Sequence, residues 1–362
     1  MQDIHGMVLS QIQAFFACDQ RRIKLISHLI IGLVKLTHSS LSQWSKALPG
    51  EQQLDTKYKQ LQRFVRFFRF SPRLYAQVVW GLFGQEKVVY LTLDRSEWQM
   101  RGQWVQVVLV GIAHRGMSIP LLWQVLNRQG NTAMTTRRAL LRCFDAWLDR
   151  SAGQQIWWLA DREYVGKTWF QELTQRQMHF CIRLRKSVRV QQGGKELKLA
   201  RLFECAHLRL LRKPRHVYGC KLYLAGQQLP GGDFFVVGSA TKTRQLAAIY
   251  QKRWQIETLF AAYKSRGFHL ERCRVNRAKR LKTLLFVLSL ALLWAVKTGW
   301  WLIQHGKPIP LKNFKNQPPQ RWKSLFRWGL DYLQNLLLNN LPAPPILYFC
   351  PVVRCQDKKN RT

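Results

Sequence analysis

Between residues 7 and 83 apolar positions recur at the three- and four-residue spacing of helices, with Ile23, Leu25, Ile26, Leu29, Ile30, Leu33 and Leu36 on one stripe. His38-Ser39-Ser40 then offers a turn and an N-cap for a second helix over residues 41–48, which Pro49-Gly50 ends. Helix, short turn, helix suits a helix-turn-helix DNA reader, although many helical hairpins share it. A third helix over 57–70 sets Arg63, Arg66 and Arg69, with Arg73 beyond a turn, at spacings of three and four, and phenylalanines lie between them. From residue 87 the period shortens to two. Strands are predicted over 88–94, 104–113, 117–125, 155–161 and 179–184, with helices over 135–148 and 167–177. Three strands, helix, strand, helix, strand predicts a mixed sheet in an α/β domain.

Residues 186–238 differ in grammar. Gly193-Gly194, Gly226 and Gly231-Gly232 punctuate short β-rich pieces such as 221–224 and 234–237, and Arg209, Arg212, Lys213 and Arg215 make the stretch basic. Helical spacing returns over 243–267 and 279–304. The longest apolar run, residues 284–296, has 13 residues. That is short of the roughly 20 needed to span a bilayer, so a buried helix is expected. Eight of the 13 prolines fall in the last 57 residues, which predicts short helices with extended ends there. The chain shows no internal repeat.

Charge changes the picture most. The 362 residues, 47% hydrophobic and 12% aromatic, are enough for two or three globular modules. Yet 58 Lys and Arg stand against 19 Asp and Glu, a formal net charge of +39. A compact chain this basic needs a polyanion, and nucleic acid is the commonest; an anionic membrane surface or a ribosome is the competing reading. The eight cysteines, including Cys18, Cys350 and Cys355, form no CxxC pair, so no zinc site is expected and they read as reduced thiols in a cytoplasm. The N-terminus, with Asp3 and His5, lacks a signal pattern.

Against so few acids, each one is informative. Asp94 and Asp161 are predicted to end the first and fourth strands, and ligands of α/β sheets bind at carboxyl ends of strands. If those strands are neighbours, two hard anions repel unless a cation lies between them, and oxygen donors favour Mg²⁺ or Mn²⁺. Tyr250, Arg253, Glu257 and Lys264 are spaced as one polar helical stripe, from which Ile249, Trp254, Ile256 and Leu259 fall away to pack below. Arg253 and Glu257 alone would read equally well as a surface i,i+4 ion pair. Glu97 and Glu163, close after the two aspartates, read as loop residues rather than metal ligands.

The pattern Tyr-x2-Arg-x3-Glu-x6-Lys over residues 250–264 resembles the YREK signature of DDE transposases of the insertion-sequence group four type. The flanks are similar too: Leu93-Asp94-Arg95-Ser96-Glu97-Trp98 at the first acid and Ala160-Asp161-Arg162-Glu163-Tyr164-Val165-Gly166 at the second. The likeness spans about residues 20–300. It implies a ribonuclease-H-like mixed-sheet core with a β-rich insertion, an all-helical N-terminal domain and a helical and extended C-terminal tail. The corresponding divisions are 1–83 for DNA binding, 84–186 and 239–305 for the two parts of the core, 187–238 for the insertion and 306–362 for the tail.

For function, the resemblance implies a cut-and-paste transposase in a bacterial cytoplasm, associated with the nucleoid. Asp94, Asp161 and Glu257 would hold two Mg²⁺ (or Mn²⁺) ions per site, and Tyr250, Arg253 and Lys264 would hold phosphates beside the scissile bond. Lys57, Arg63, Arg66, Arg69, Lys264, Arg266, Arg272 and Arg274 are the expected DNA contacts, the last four opening a basic run that continues through Arg277, Lys279, Arg280 and Lys282, opposed by Glu271. The partner is double-stranded DNA, transposon ends and target, bound by a homodimer assembled on it, with no membrane. Some relatives cut the second strand through a hairpin by stacking a flipped base on a tryptophan of the insertion. No tryptophan lies between Trp169 and Trp254 here, so Tyr218, Phe234 or Phe235 would have to serve. Two alternatives stay open: a nuclease of the same fold without strand transfer, and a DNA-binding descendant with an inactive site.

Overall fold

The computed structural model describes residues 4–16, 19–100, 102–148, 153–192, 195–314 and 317–342. Cys18, Gly193, Gly194, Cys350 and Cys355 lie outside them; Cys143, Cys181, Cys205, Cys220 and Cys273 are free thiols. Two compact units divide the chain: Phe83–Phe260, and Met1–Leu82 together with Ala261–Thr362. The N-terminal helices therefore do not stand as a module by themselves, as the sequence division had them.

In the helical unit the chain opens with α1 (Ile4–Phe15), α2 (Gln20–Leu36), α3 (Leu41–Ala47), α4 (Leu54–Phe67) and α5 (Pro72–Phe83). In the other unit β1 (Val88–Met100), β2 (Gln103–His114) and β3 (Met117–Leu126) form an antiparallel meander. After α6 (Met134–Asp145), β4 (Gln155–Ala160) pairs parallel with β1. After α7 (Lys167–Gln175), β5 (His179–Arg183) pairs parallel with β4. The order β3-β2-β1-β4-β5 is that of the ribonuclease-H-like fold. β2 reads as an unbroken apolar run because both its faces are buried. A Cβ on its Gly111 would lie 2.2 Å from Ser118 Oγ, which makes room for a bulge in the β2–β3 register.

The stretch expected as an insertion is tied into this sheet. β6 (Arg189–Gln192) and β7 (Lys195–Lys198) make a small ribbon, followed by β8 (Arg209–Leu210) and β9 (Arg215–Val217). β10 (Cys220–Gln228) and β11 (Phe234–Ser239) then extend the main sheet beyond β5 to nine strands, β9 pairing on β10. Leu222, Leu224, Val236 and Val237 are buried, and the open edge of β5 offers the backbone partners such strands need. Across one sheet face lies α8 (Leu246–Gln251), whose Leu246, Ile249 and Tyr250 pack on Trp157, Leu159, Cys181, Ala225 and Val237.

The helix predicted over 243–267 is broken. α8 gives way to a 3-10 turn at Lys252–Trp254 before α9 (Gln255–Tyr263). In the helical unit α10 (Ala278–Gln304) is the core. Its 27 residues are long and apolar enough to cross a membrane, but 89% of its most apolar window is buried inside the protein, as the apolar run suggested. Phe286 gathers Phe16, Phe68, Phe70 and Tyr75 at ring separations of 4.4–5.9 Å, which accounts for two of the phenylalanines between the arginines, while Phe67 is exposed. The tail supplies a hairpin, β12 (Leu311–Phe314) with β13 (Gln317–Arg321), and the 14-residue α11 (Leu325–Leu338).

Candidate active site

The parallel ladder of β1 and β4 ends at the pair Leu93–Ala160, so Asp94 and Asp161 are the next residue on each of two neighbouring strands. Side chains alternate along a strand. Asp94 therefore shares a face with Val88 and Tyr90, and Asp161 with Trp157 and Leu159, the face that α8 covers. Asp161 directly follows β4, as predicted. Asp94 does not end its strand: β1 runs on to Met100, paired antiparallel with β2 as far as Gln103. The two strands part here, because β4 gives way to a 3-10 turn at Arg162–Tyr164 while β1 continues.

The broken helix supplies the rest. Tyr250 and Arg253 are buried, and Tyr250 donates its hydroxyl to Asp161 Oδ1 at 3.2 Å. Arg253 Nη1 donates to Asp94 Oδ2 at 2.8 Å and lies 3.5 Å from Glu257 Oε1. The expected Arg253–Glu257 pair exists, then, but its guanidinium is shared with an acid on the sheet and is 7% exposed. Burial pushes the Asp94 carboxyl up to about 7, with Arg253 and the backbone N–H of Arg95 pulling the other way. Burial also raises the Tyr250 phenol, so it remains a proton donor to Asp161. Trp254, expected to pack below the stripe, is 67% exposed, with Arg253 over its ring at 5.5 Å. The 3-10 turn rotates successive residues by about 120° rather than 100°, which swings Trp254 off the buried face.

The donor set fits a hard divalent cation. Carboxylate oxygens from Asp94, Asp161 and Glu257 are the right chemistry, and so buried an aspartate is fully ionised at neutral pH only with more positive charge beside it. Arg253, with its buried Nε lacking a hydrogen-bond partner, pulls the Asp94 carboxyl down but does not offset its burial, which leaves room for a cation's charge. Among the described residues no three carboxylates, thiols or imidazoles converge as a metal cluster.

Other expected residues are placed differently. Lys57 is buried, and its ammonium donates to Leu48 O at 2.8 Å and Gly50 O at 2.7 Å. It closes the α3–α4 turn and has no face to offer DNA, a correction to its expected role. Arg63 and Arg66 are exposed on α4, while Arg69, also exposed, turns back to Arg66 O and Phe68 O. Arg266, Arg272, Arg274, Arg277 and Lys279 are exposed; Lys264 pairs with Glu271 at 3.3 Å in the helical unit. Tyr218 packs edge-on against Phe170, and Phe235 lies tilted against Tyr250. Glu97 lies within β1, not in a loop, and Glu163 in a 3-10 turn just past β4; both bind Arg95. Arg95 is the residue that sequence reading missed. Its one signal was an arginine directly after the first acid, with a glutamate three positions beyond Asp94 and another two beyond Asp161.

Fold and site together define an acid-centred ribonuclease-H-like domain. Within that class the chain belongs to the transposase DDE domain family, which matches residues 87–294, more than half its length. The protein is similar to a solved piggyBac transposase, described as a synaptic complex with hairpin DNA, at 12% identity and a TM-score of 0.46, over 96% of this chain and 80% of that one. No curated protein matches the chain.

Proposed function

We propose that this chain is a cut-and-paste transposase of the YREK-signature group, which binds the ends of an insertion sequence, hydrolyses a phosphodiester there and joins the freed 3′ ends to target DNA. One observation carries the reading: two aspartates at the next register beyond a broken parallel ladder, bound to Tyr250 and to an Arg253 that also reaches Glu257. Asp94 with Asp161, and Asp94 with Glu257, would hold two Mg²⁺ or Mn²⁺ ions. Such ions supply an activated water or 3′-hydroxyl and positive charge against the departing oxygen.

The chain's own groups do the remainder. Arg253 neutralises Asp94 within an apolar wall, and its planar fork is the geometry that recognises a phosphate. Tyr250 keeps its proton and holds Asp161 in place. Lys264 would serve as a second phosphate contact, and exposed Arg63, Arg66, Arg266, Arg272 and Arg274 would follow the DNA backbone, with a homodimer on paired ends. Cleavage and strand-transfer assays on DNA carrying the element's own ends test this. Asp94→Asn, Asp161→Asn and Glu257→Gln should each cut Mg²⁺-dependent cleavage by at least about a hundredfold while end binding persists. Cleavage left intact in these variants refutes the catalytic assignment; cleavage without joining leaves a nuclease.

A further inference from the structure

Beyond Leu93 and Ala160 the backbone ladder no longer ties β1 to β4, and the two acids stand where the strands part. Ion pairs replace the ladder there. Arg95 points to the sheet face opposite Asp94, and its Nε donates to the Glu163 carboxylate, which lies two residues after Asp161. Arg95 Nη1 donates to Glu97 Oε2 and to Gly130 O, each at 2.7 Å. Glu163 also accepts from Thr132 Oγ1 at 3.1 Å, and its carbonyl accepts from Arg137 Nη2 at 2.9 Å. The Arg95, Glu97 and Glu163 side chains are 20%, 27% and 15% exposed, sheltered enough for fixed geometry to matter. β1, the turn after β4 and the loop before α6 are thus joined through one guanidinium next to the acid pair.

We propose that Arg95, gripped by Glu163 and Glu97, is a positioning residue that sets the separation of the Asp94 and Asp161 carboxylates and so the affinity of the site for a divalent cation. Glu163 acts through Arg95 and is not itself a ligand. The inference rests on the reading of Asp94 and Asp161 as cation ligands.

Charge and position make opposite forecasts, which gives the test its sign. Removing a cation next to a carboxylate site should tighten cation binding; loosening the strand ends should weaken it. Mn²⁺ titration of the full-length protein, read by electron paramagnetic resonance, should show Arg95→Met binding roughly tenfold more weakly, the size of loss common for groups that orient metal ligands. Glu163→Gln should weaken binding likewise with unchanged stoichiometry, and the double variant should be no worse than either single one, as for groups acting as a unit. Arg95→Lys, whose single ammonium cannot span Glu163, Glu97 and Gly130 O, should also weaken binding and serves if the methionine variant does not fold. Binding as tight as wild type in Arg95→Met or Arg95→Lys overturns the proposal, as does a lost Mn²⁺ equivalent in Glu163→Gln. A wild-type chain that binds no Mn²⁺, or binds it equally with Asp94→Asn, refutes the ligand reading itself.

Discussion

At the scale of single residues, the site is organised by cations with little freedom. Arg253 is 7% exposed and divides one guanidinium between a sheet acid and a helix acid. Leaving Asp94, 14% exposed, without it would strand a buried charge, the costliest kind of unmet partner, whereas Glu257 is 42% exposed and still meets water. Lys57 shows the same rule away from the chemistry. Its ammonium is buried and satisfied by two carbonyls, so it belongs to the turn and not to the ligand. Lys57→Met should lower stability by about 1–3 kcal/mol through those two unmet carbonyls, measured by chemical denaturation, and leave the salt dependence of DNA binding unchanged. A shallower salt slope in that variant would return Lys57 to the DNA face.

At the scale of elements, close approach decides how the helical unit is held. α10 and α11 cross where Gly299 and Gly329 meet; a Cβ on Gly329 would lie 1.8 Å from Ala295 O and one on Gly299 2.2 Å from Leu325 O. Both obstacles are backbone, which cannot swing aside as a side chain would. Gly329→Ala should therefore cost about 3 kcal/mol, the upper end for an overpacked core, and show as a clear fall in melting temperature. A melt unchanged from wild type would mean the crossing is looser than described. Periodicity predicted most elements closely, among them β2, β3, β4, β5, α3 and α10. It failed where the period changed inside an element. Between α8 and α9 three residues of 3-10 turn moved Trp254 outward, and in β1 the antiparallel partner carried the strand past Asp94.

For the whole molecule the dominant quantity is the net charge of +39, a self-repulsion that a polyanion relieves. Random-sequence DNA should raise the melting temperature at low salt through binding to the folded state, and the effect should vanish near 1 M salt, where the screening length is only about 3 Å. Stabilisation that survives at that salt would point to contacts other than phosphate. That polyanion-seeking charge, the helix and strand periods, and Asp94, Asp161 and Glu257 in their motifs were all legible from the linear order of residues, because spacing and composition are local properties. Three things were decided by the tertiary structure: the joining of β10 and β11 to the main sheet, the sharing of Arg253 between Asp94 and Glu257, and the grip of Arg95 on Glu163. Each depends on backbone or side-chain groups far apart in sequence meeting at one place. Arg95 and Glu163, 68 positions apart, meet because β1 and β4 are neighbours in the sheet, a pairing that no spacing along the chain encodes.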